Sequence, residues 1–341
     1  MSIATELQDL NDNILDAYTA IGNKGGTVPA QKNTANLDTA IGSIPAAPEA
    51  YIPLAVNAIS NTLEKPSTSF TWIAPSTATI IGNYSLSNAF YNCTGLTSVD
   101  LNNVTTIDDY GLQYAFYNCT GLTSASLSKV TTIRPYGLSR AFYYCSYLPS
   151  VDLSNVTSIE SNGLSYAFSQ CSRLTTINLG KAITIGTTGL YYAFEGCTSL
   201  TSVDLSNLTT INNYGLQSAF KDCTSLPSVD LSNLAVVGSE GLVTAFRGCT
   251  SLTTMSFDNV SSIGSSGFIN AFSNCTNLTS LSFPALTTSS FGTSTNQFDG
   301  MLFGCTGVTV HFPAVIQSTI GGWSSVTRGF GGTNTTVLFD L

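Results

Sequence analysis

The sequence predicts an α/β repeat solenoid with a parallel β-sheet on one face and short helical segments on the other. Three observations predict it. Cys93, Cys119, Cys145, Cys171, Cys197, Cys223, Cys249 and Cys275 follow one another at a constant step of 26 residues, and Cys305 follows after 30. The text around the cysteines repeats too, as AFYNCTGLTSVDL, AFYNCTGLTSASL, AFSQCSRLTTINL, AFEGCTSLTSVDL and AFKDCTSLPSVDL. Inside every copy, two apolar periodicities occupy fixed places. One copy alone cannot bury its apolar face, so a constant period of this length means a stack of similar coils.

Each coil is read from its spacing. Leu112, Ala115, Phe116 and Cys119 fall at i, i+3, i+4 and i+7, the spacing of one helical face. After the cysteine come Leu122, Ala125 and Leu127, then Val130 and Ile133. The Ala125–Leu127 alternation marks a short strand with inward apolar side chains. Gly111, Gly137, Gly163, Gly189, Gly215, Gly241 and Gly267 share one register, which predicts an unusual backbone angle or a close approach there. The cysteines are read as a buried column of small hydrophobes. Zinc ligands come in close pairs rather than singly at this spacing. Equivalent thiols on stacked coils point the same way and nine is an odd number, so no disulfide framework is expected.

These copies resemble the leucine-rich repeats of the BspA type (the Treponema pallidum type), known from bacterial surface proteins, over about Ile80–Phe283. The resemblance implies a leucine-rich repeat solenoid serving as a non-enzymatic binding scaffold. The period is long for that family, with extra residues after the isoleucine column at Asp108–Tyr110 and Arg134–Tyr136.

The organisation predicted is an N-terminal helical oligomerisation or docking element over 1–45, a linker and cap over 46–79, about eight repeats over 80–284, and a degenerate last repeat with a β-rich cap over 285–341. Ile3, Leu7, Leu10, Ile14, Ala17 and Ile21 step by 4, 3, 4, 3 and 4, a heptad seam. Leu7, Leu10, Ile14, Ala17 and Ile21 are the candidate oligomerisation or docking residues. Gly22 and Gly25-Gly26 stop this helix, and Asn33–Ile44 forms a second. The segment LQDLNDNILDAYTAIGNKGGTVPAQKNTANLDTAIGSIP resembles an N-terminal helix–GGTVP–helix element of phage tail and other virion-associated proteins. That resemblance implies docking on other virion proteins through the N-terminal helix and a homo-oligomer, with a trimer as one candidate state. At the other end, VTVHFPAVI and TTVLFDL read as strands around the glycine-rich GGWSSVTRGFGG, with Trp323 packing the cap. His311, the only histidine, alternates with Val310 and Phe312 and is expected as an exposed strand residue without an acid or cysteine partner nearby.

Composition narrows the chemistry. Net charge is −9 and charged residues make up only 9%, with no basic patch, which excludes nucleic acid and anionic membranes as natural partners. No stretch is long and apolar enough for membrane insertion, and the N-terminus lacks the basic and apolar regions of a signal peptide. There is no GxSxG, HExxH, P-loop or dinucleotide fingerprint, so no catalytic residue, cofactor or metal is assigned. One column, Asp100, Ser126, Asp152, Asn178, Asp204, Asp230, Ser256 and Ser282, reads as a solvated polar face too sparse to enclose an ion. The adjacent threonine and serine columns are interrupted by Pro149 and Pro227, which counts against an ice-binding array.

The letters that change between copies are rich in tyrosine. Tyr91, Tyr114, Tyr117, Tyr143, Tyr144, Tyr166, Tyr191 and Tyr192 are the candidate partner-binding residues, with Tyr110, Tyr136 and Tyr147 in neighbouring turns. Tyrosine offers a large amphipathic contact area at low entropic cost. The alternative is that these rings only cover neighbouring turns. The functional expectation is a virion protein, a tail-fibre or receptor-binding component that recognises a host cell-surface protein or polysaccharide. The alternatives are an extracellular or cell-surface bacterial adhesin and an ice-binding or matrix protein.

Overall fold

The computed structural model describes residues 69–291, 296–320 and 330–341. The N-terminal heptad seam, the second helix, most of the 46–79 segment and Trp323 lie outside the described residues.

The chain winds as a right-through stack of coils joined by parallel ladders. One sheet has six strands: Phe70–Ile73, Leu96–Asp100, Ser124–Ser126, Ser150–Asp152, Thr176–Asn178 and Ser202–Asp204. Its partners are offset by one period, so Val99 faces Ala125 and Val203 faces Ile177. A second, eight-stranded sheet runs from Ile80–Ile81 through Thr106–Ile107, Thr132–Ile133, Ser158–Ile159, Thr184–Ile185, Thr210–Ile211 and Val236–Val237 to Ser262–Ile263. A third, of Thr254–Ser256, Ser280–Ser282, Thr309–Phe312 and Thr336–Phe339, carries the first ladder's pattern to the C-terminus. The two C-terminal strands read from the sequence are therefore parallel members of this ladder, pairing Val310 with both Leu281 and Val337.

The first and third sheets are separated at Ser228–Asp230, which is not in strand conformation. Pro227 precedes the gap and removes one ladder hydrogen bond, though Pro149 holds the same register and Ser150–Asp152 beside it still pairs as a strand. Other coils use the equivalent N–H to reach the preceding coil, as in Thr201 N–H to Thr175 O at 2.9 Å and Thr279 N–H to Thr253 O at 2.8 Å. Proline has no such donor. The core does not break there, because Val229 and Leu231 stay buried.

The interior is a set of columns, one residue per coil. Leu, Ala, Phe, Cys, Val and Ile positions are buried from Ile81 to Phe283 with almost no exposure. Phe90, Phe116, Phe142, Phe168, Phe194, Phe220, Phe246 and Phe272 stack with centroids 5.1–5.6 Å apart. Trp72 closes the N-terminal end of this stack at 5.2 Å from Phe90. All nine cysteines are buried and unbridged. Their thiols are more than filler: Cys119 Sγ donates to Phe90 O at 3.0 Å, and the same bond recurs from Cys145 to Phe116 and from Cys171 to Phe142 at 3.1 Å.

The face expected to be helical is not. Among the described residues the only helical pieces are the 3-10 turn Ala314–Ile316 and the single α-turn Gln317–Ile320. The AF-containing segment is instead a run of tight turns with two alternating hydrogen-bond systems. Ala115 and Cys119 donate three residues back, to Leu112 O and Phe116 O. Leu112, Tyr114, Phe116 and Asn118 donate across to Gly137, Ser139, Ala141 and Tyr143 of the next coil at 2.7–3.0 Å. Every fourth residue is left-handed, as at Tyr110, Tyr114 and Asn118 with φ of 58°, 55° and 55°. A four-residue turn period places Leu112, the Ala115–Phe116 pair and Cys119 inward, the same positions as a helical face. The glycine column needs close approach rather than an unusual angle: at Gly137 a Cβ would lie 3.0 Å from Arg134 O, while the left-handed angle falls one residue earlier, on Tyr136.

Candidate functional site

The turn run carries the variable positions outward, so the tyrosines gather on one face. All eight predicted residues belong to one connected ring network. Tyr91 stacks on Tyr117 at 4.6 Å and 2°, and Tyr117 on Tyr143 at 5.2 Å and 8°. Tyr114 tilts against Tyr91 and Tyr117. Tyr144 meets Tyr117 and Tyr143 edge-on. Tyr143 then contacts Tyr166, which stacks on Tyr192 at 5.0 Å, and Tyr191 touches both Tyr166 and Tyr192 edge-on. Tyr144 is exposed and the other seven are half-buried.

Neighbouring turns add further rings and cations to this face. Tyr84, Tyr110 and Tyr136 form a second stacked ladder with centroids 4.6 and 4.7 Å apart, both pairs within 5° of parallel. Arg140 lies between two rings, its guanidinium 5.3 Å from the Tyr114 centroid and 4.5 Å from that of Tyr166. Aligning positions 114, 140, 166 and 192 by the 26-residue period would have revealed that sandwich. Lys221 donates to Glu195 Oε1 at 2.7 Å and sits 5.8 Å from the Tyr192 ring. The Glu195 carboxylate, as hydrogen-bond partner, raises the Lys221 ammonium above its ordinary value. Arg173 covers Tyr147 at 4.0 Å.

Half of the predicted residues sit on strained backbone. Tyr114, Tyr144, Tyr166 and Tyr192 have φ of 55°, 61°, 54° and 53°. Asn92, Asn118, Gly196 and Gly248 stand in the column of Tyr144, while Arg140, Ser218 and Thr244 stand at the same angle in the column of Tyr114, Tyr166 and Tyr192. The same angle recurs at every fourth residue of the turn face, as at Gln170, Thr188, Glu240 and Thr244, so it belongs to the architecture of the coil.

The phenols hold their protons. Desolvation, then neighbouring tyrosines, push Tyr143 and Tyr166 up to about 12 from an ordinary 10.0. Tyr117 and Tyr191 are raised for the same first cause. Burial likewise pushes the thiols up, Cys249 to about 12 from 9.0 and Cys223 well above 9.0. A raised folded-state value means that stabilisation is complete below the unfolded value and is lost as pH climbs toward the folded one. The melting temperature should therefore fall progressively from pH 9 to pH 12, with thiols contributing first and network phenols after pH 10. A melting temperature that stays level across that window would remove the buried-thiol and packed-phenol account together.

The polar columns turn out to be structural. Asp100, Asp152 and Asp230 each accept the backbone N–H two residues on at 2.8–3.0 Å, closing the turn after the strand. Threonine hydroxyls donate to the preceding coil, Thr123 to Thr97 O at 3.1 Å and Thr201 to Thr175 O at 3.2 Å. Those protons are committed within the ladder. Among the described residues, no group of three or more His, Cys, Asp or Glu side chains could hold a metal ion. His311 does have an acidic partner, contrary to the sequence expectation: its Nδ1 lies 3.0 Å from Asp340 Oδ1 on the next coil. The candidate docking residues Leu7, Leu10, Ile14, Ala17 and Ile21 lie outside the described residues.

Parallel ladders, apolar interior columns and a variable aromatic face define a leucine-rich-repeat scaffold. The BspA type leucine rich repeat region matches in six copies, over residues 64–189 and 139–268. The chain belongs to that family. Among solved structures it is similar to a leucine-rich repeat protein of T. pallidum, at 23% identity over 54% of this chain and 78% of the other, with a TM-score of 0.38. It is also similar to one from Bacteroides ovatus, at 20% identity over 79% and 69%, with a TM-score of 0.39. A leucine rich cell surface protein of Faecalibacterium prausnitzii shares 18% identity over 79% and 88%, with a TM-score of 0.36. No curated protein matches the chain.

Proposed function

We propose that this protein is a non-enzymatic recognition scaffold that acts as a bacterial cell-surface or extracellular adhesin, with the tyrosine-bearing turn face as its contact surface. The observation that carries the proposal is the union of all eight variable tyrosines in one ring network on a single face. Membership of the BspA-type family supports the surface role. A place in a virion rests on the N-terminal sequence alone, and nothing in the repeats adds to it.

The site makes the test clean, because these rings lie outside the buried columns. Changing Tyr117, Tyr143 and Tyr191 together to Ser should abolish adsorption of the purified protein to target cells, measured by flow cytometry. The melting temperature should fall less per residue than for a core substitution, since each ring gives up stacked contacts worth about 0.5–1.5 kcal/mol, so adsorption is compared well below both melting temperatures. Adsorption at the wild-type level would return these rings to a covering role and remove the turn face as the contact surface.

A further inference from the structure

We propose that a cavity on the second sheet, between Glu160 and Ile183, holds a cation carried on an aliphatic stem, the chemistry of an alkylamine or of a lysine side chain.

The cavity has a volume of about 390 Å³ and is lined by three successive coils, around Glu160, Gly186 and Asn212. That volume falls in the range of small-ligand sites. None of the eight network tyrosines lines it. Three departures from the repeat meet there. First, Thr131, Thr157 and Thr209 share a column and each donates its hydroxyl to the preceding coil at 3.2 Å. Ile183 stands in that column with 57% of its surface exposed, apolar where its neighbours are threonine. Second, Asp108, Arg134 and Glu160 share a column, and Arg134 turns back to Asp108, Nε to Oδ1 at 3.1 Å. Among the described residues the Glu160 carboxylate is left without an ion pair or hydrogen bond. Third, the next member of that column is Gly186, where a Cβ would lie 2.7 Å from the Glu160 carbonyl carbon, so no side chain fills the space beside the carboxylate.

These features select the occupant by charge and shape. No Lys, Arg or His side chain lines the cavity, so an anion would meet only the Glu160 carboxylate. A neutral occupant would strip water from that carboxylate and return no partner charge. A cation supplies it. Further acceptors surround it: the hydroxyls of Ser158, Ser161, Thr184 and Thr187 and the Asn212 amide line the cavity and are uncommitted among the described residues. Ile183 offers an aliphatic stem an apolar strip to lie on. The cations of the adjoining segments, Arg134 and Lys181, are held by Asp108 and by Asn155. The net charge of −9 adds attraction of the same sign.

The test uses the full chain with isoleucine methyl labels in an NMR titration with n-pentylammonium, n-pentanol and pentanoate, each followed also by ligand saturation transfer. The Ile183 methyl signal should shift saturably with the ammonium, at a dissociation constant on the order of millimolar, and not with the alcohol or the acid. Glu160→Gln removes a charge that holds nothing in the fold, so it should weaken binding about three- to tenfold with unchanged melting. Ile183→Thr restores the threonine of its column and should weaken binding about threefold or more, read from saturation transfer. No saturable shift, equal binding of the alcohol or the acid, or wild-type affinity in Glu160→Gln overturns the proposal. Acetyl-Gly-Lys-Gly-amide then separates the two sources: binding as tight as the amine's assigns the site to lysine side chains, and binding of the amine alone assigns it to free amines. Because the cavity contains none of the network rings, failure here leaves the turn-face reading as it stands, and loss of that reading leaves the cavity as it stands.

Discussion

Replacing Phe168 by Ala is expected to destabilise the protein by about 3–5 kcal/mol, the range for emptying a fully buried aromatic site. Phe168 has no exposed surface and lies between Phe142 at 5.3 Å and Phe194 at 5.6 Å, both pairs within 3° of parallel. The carbonyl of the same residue accepts the Cys197 thiol at 3.1 Å, so the coil is tied to its neighbour through side chain and backbone together. Relaxation into the cavity is restricted, because each coil is pinned on both sides by parallel ladders. A Phe168→Leu control fills most of the volume. It should cost about 1–2 kcal/mol, a conservative core swap plus the lost ring stack of about 0.5–1.5 kcal/mol. Both values are read from denaturant midpoints at constant slope. A loss below about 1 kcal/mol for the Ala variant would mean that the phenylalanine column is not a packed stack.

The interior was legible in the sequence because it obeys one rule at every coil. The 26-residue cysteine step sets the period, and the apolar letters at fixed offsets from it are the buried columns. Three things were not legible. A four-residue turn period and a 3.6-residue helix place Leu112, Ala115, Phe116 and Cys119 on the same side, so spacing alone could not choose between them. The two-residue strand Thr132–Ile133 is too short to show alternation, which hid the second sheet. His311 and Asp340 lie 29 residues apart, beyond the break in the cysteine period, so no column alignment pairs them. The tyrosine face lies between these cases. Its residues were visible as a composition bias, but their stacking depends on coil spacing, and the left-handed backbone beneath four of them depends on turns that the helical expectation concealed.

That backbone supplies the second large expected effect. Asn118→Val should cost about 2–3 kcal/mol, summing a left-handed penalty of about 1–2 kcal/mol for a β-branched residue with about 1 kcal/mol for a lost hydrogen bond. Asn118 sits at φ 55°, and its Nδ2 donates to Asn92 Oδ1 at 2.9 Å. Its backbone N–H reaches Tyr143 O on the next coil at 2.7 Å, so a shift of φ that relieved the valine would break the inter-coil ladder instead. The opposite change at an equivalent place, Tyr144→Asn, puts a residue that tolerates this region where a bulky one now stands at φ 61°. It should leave stability unchanged or raise it by up to about 1 kcal/mol, while removing the most exposed ring of the network. The two variants together separate backbone from surface. If Asn118→Val unfolds at the wild-type midpoint, the turn face is not built on left-handed residues, and helical geometry would have to be reconsidered. If Tyr144→Asn is destabilised by more than about 1 kcal/mol, that tyrosine contributes packing that outweighs its strain.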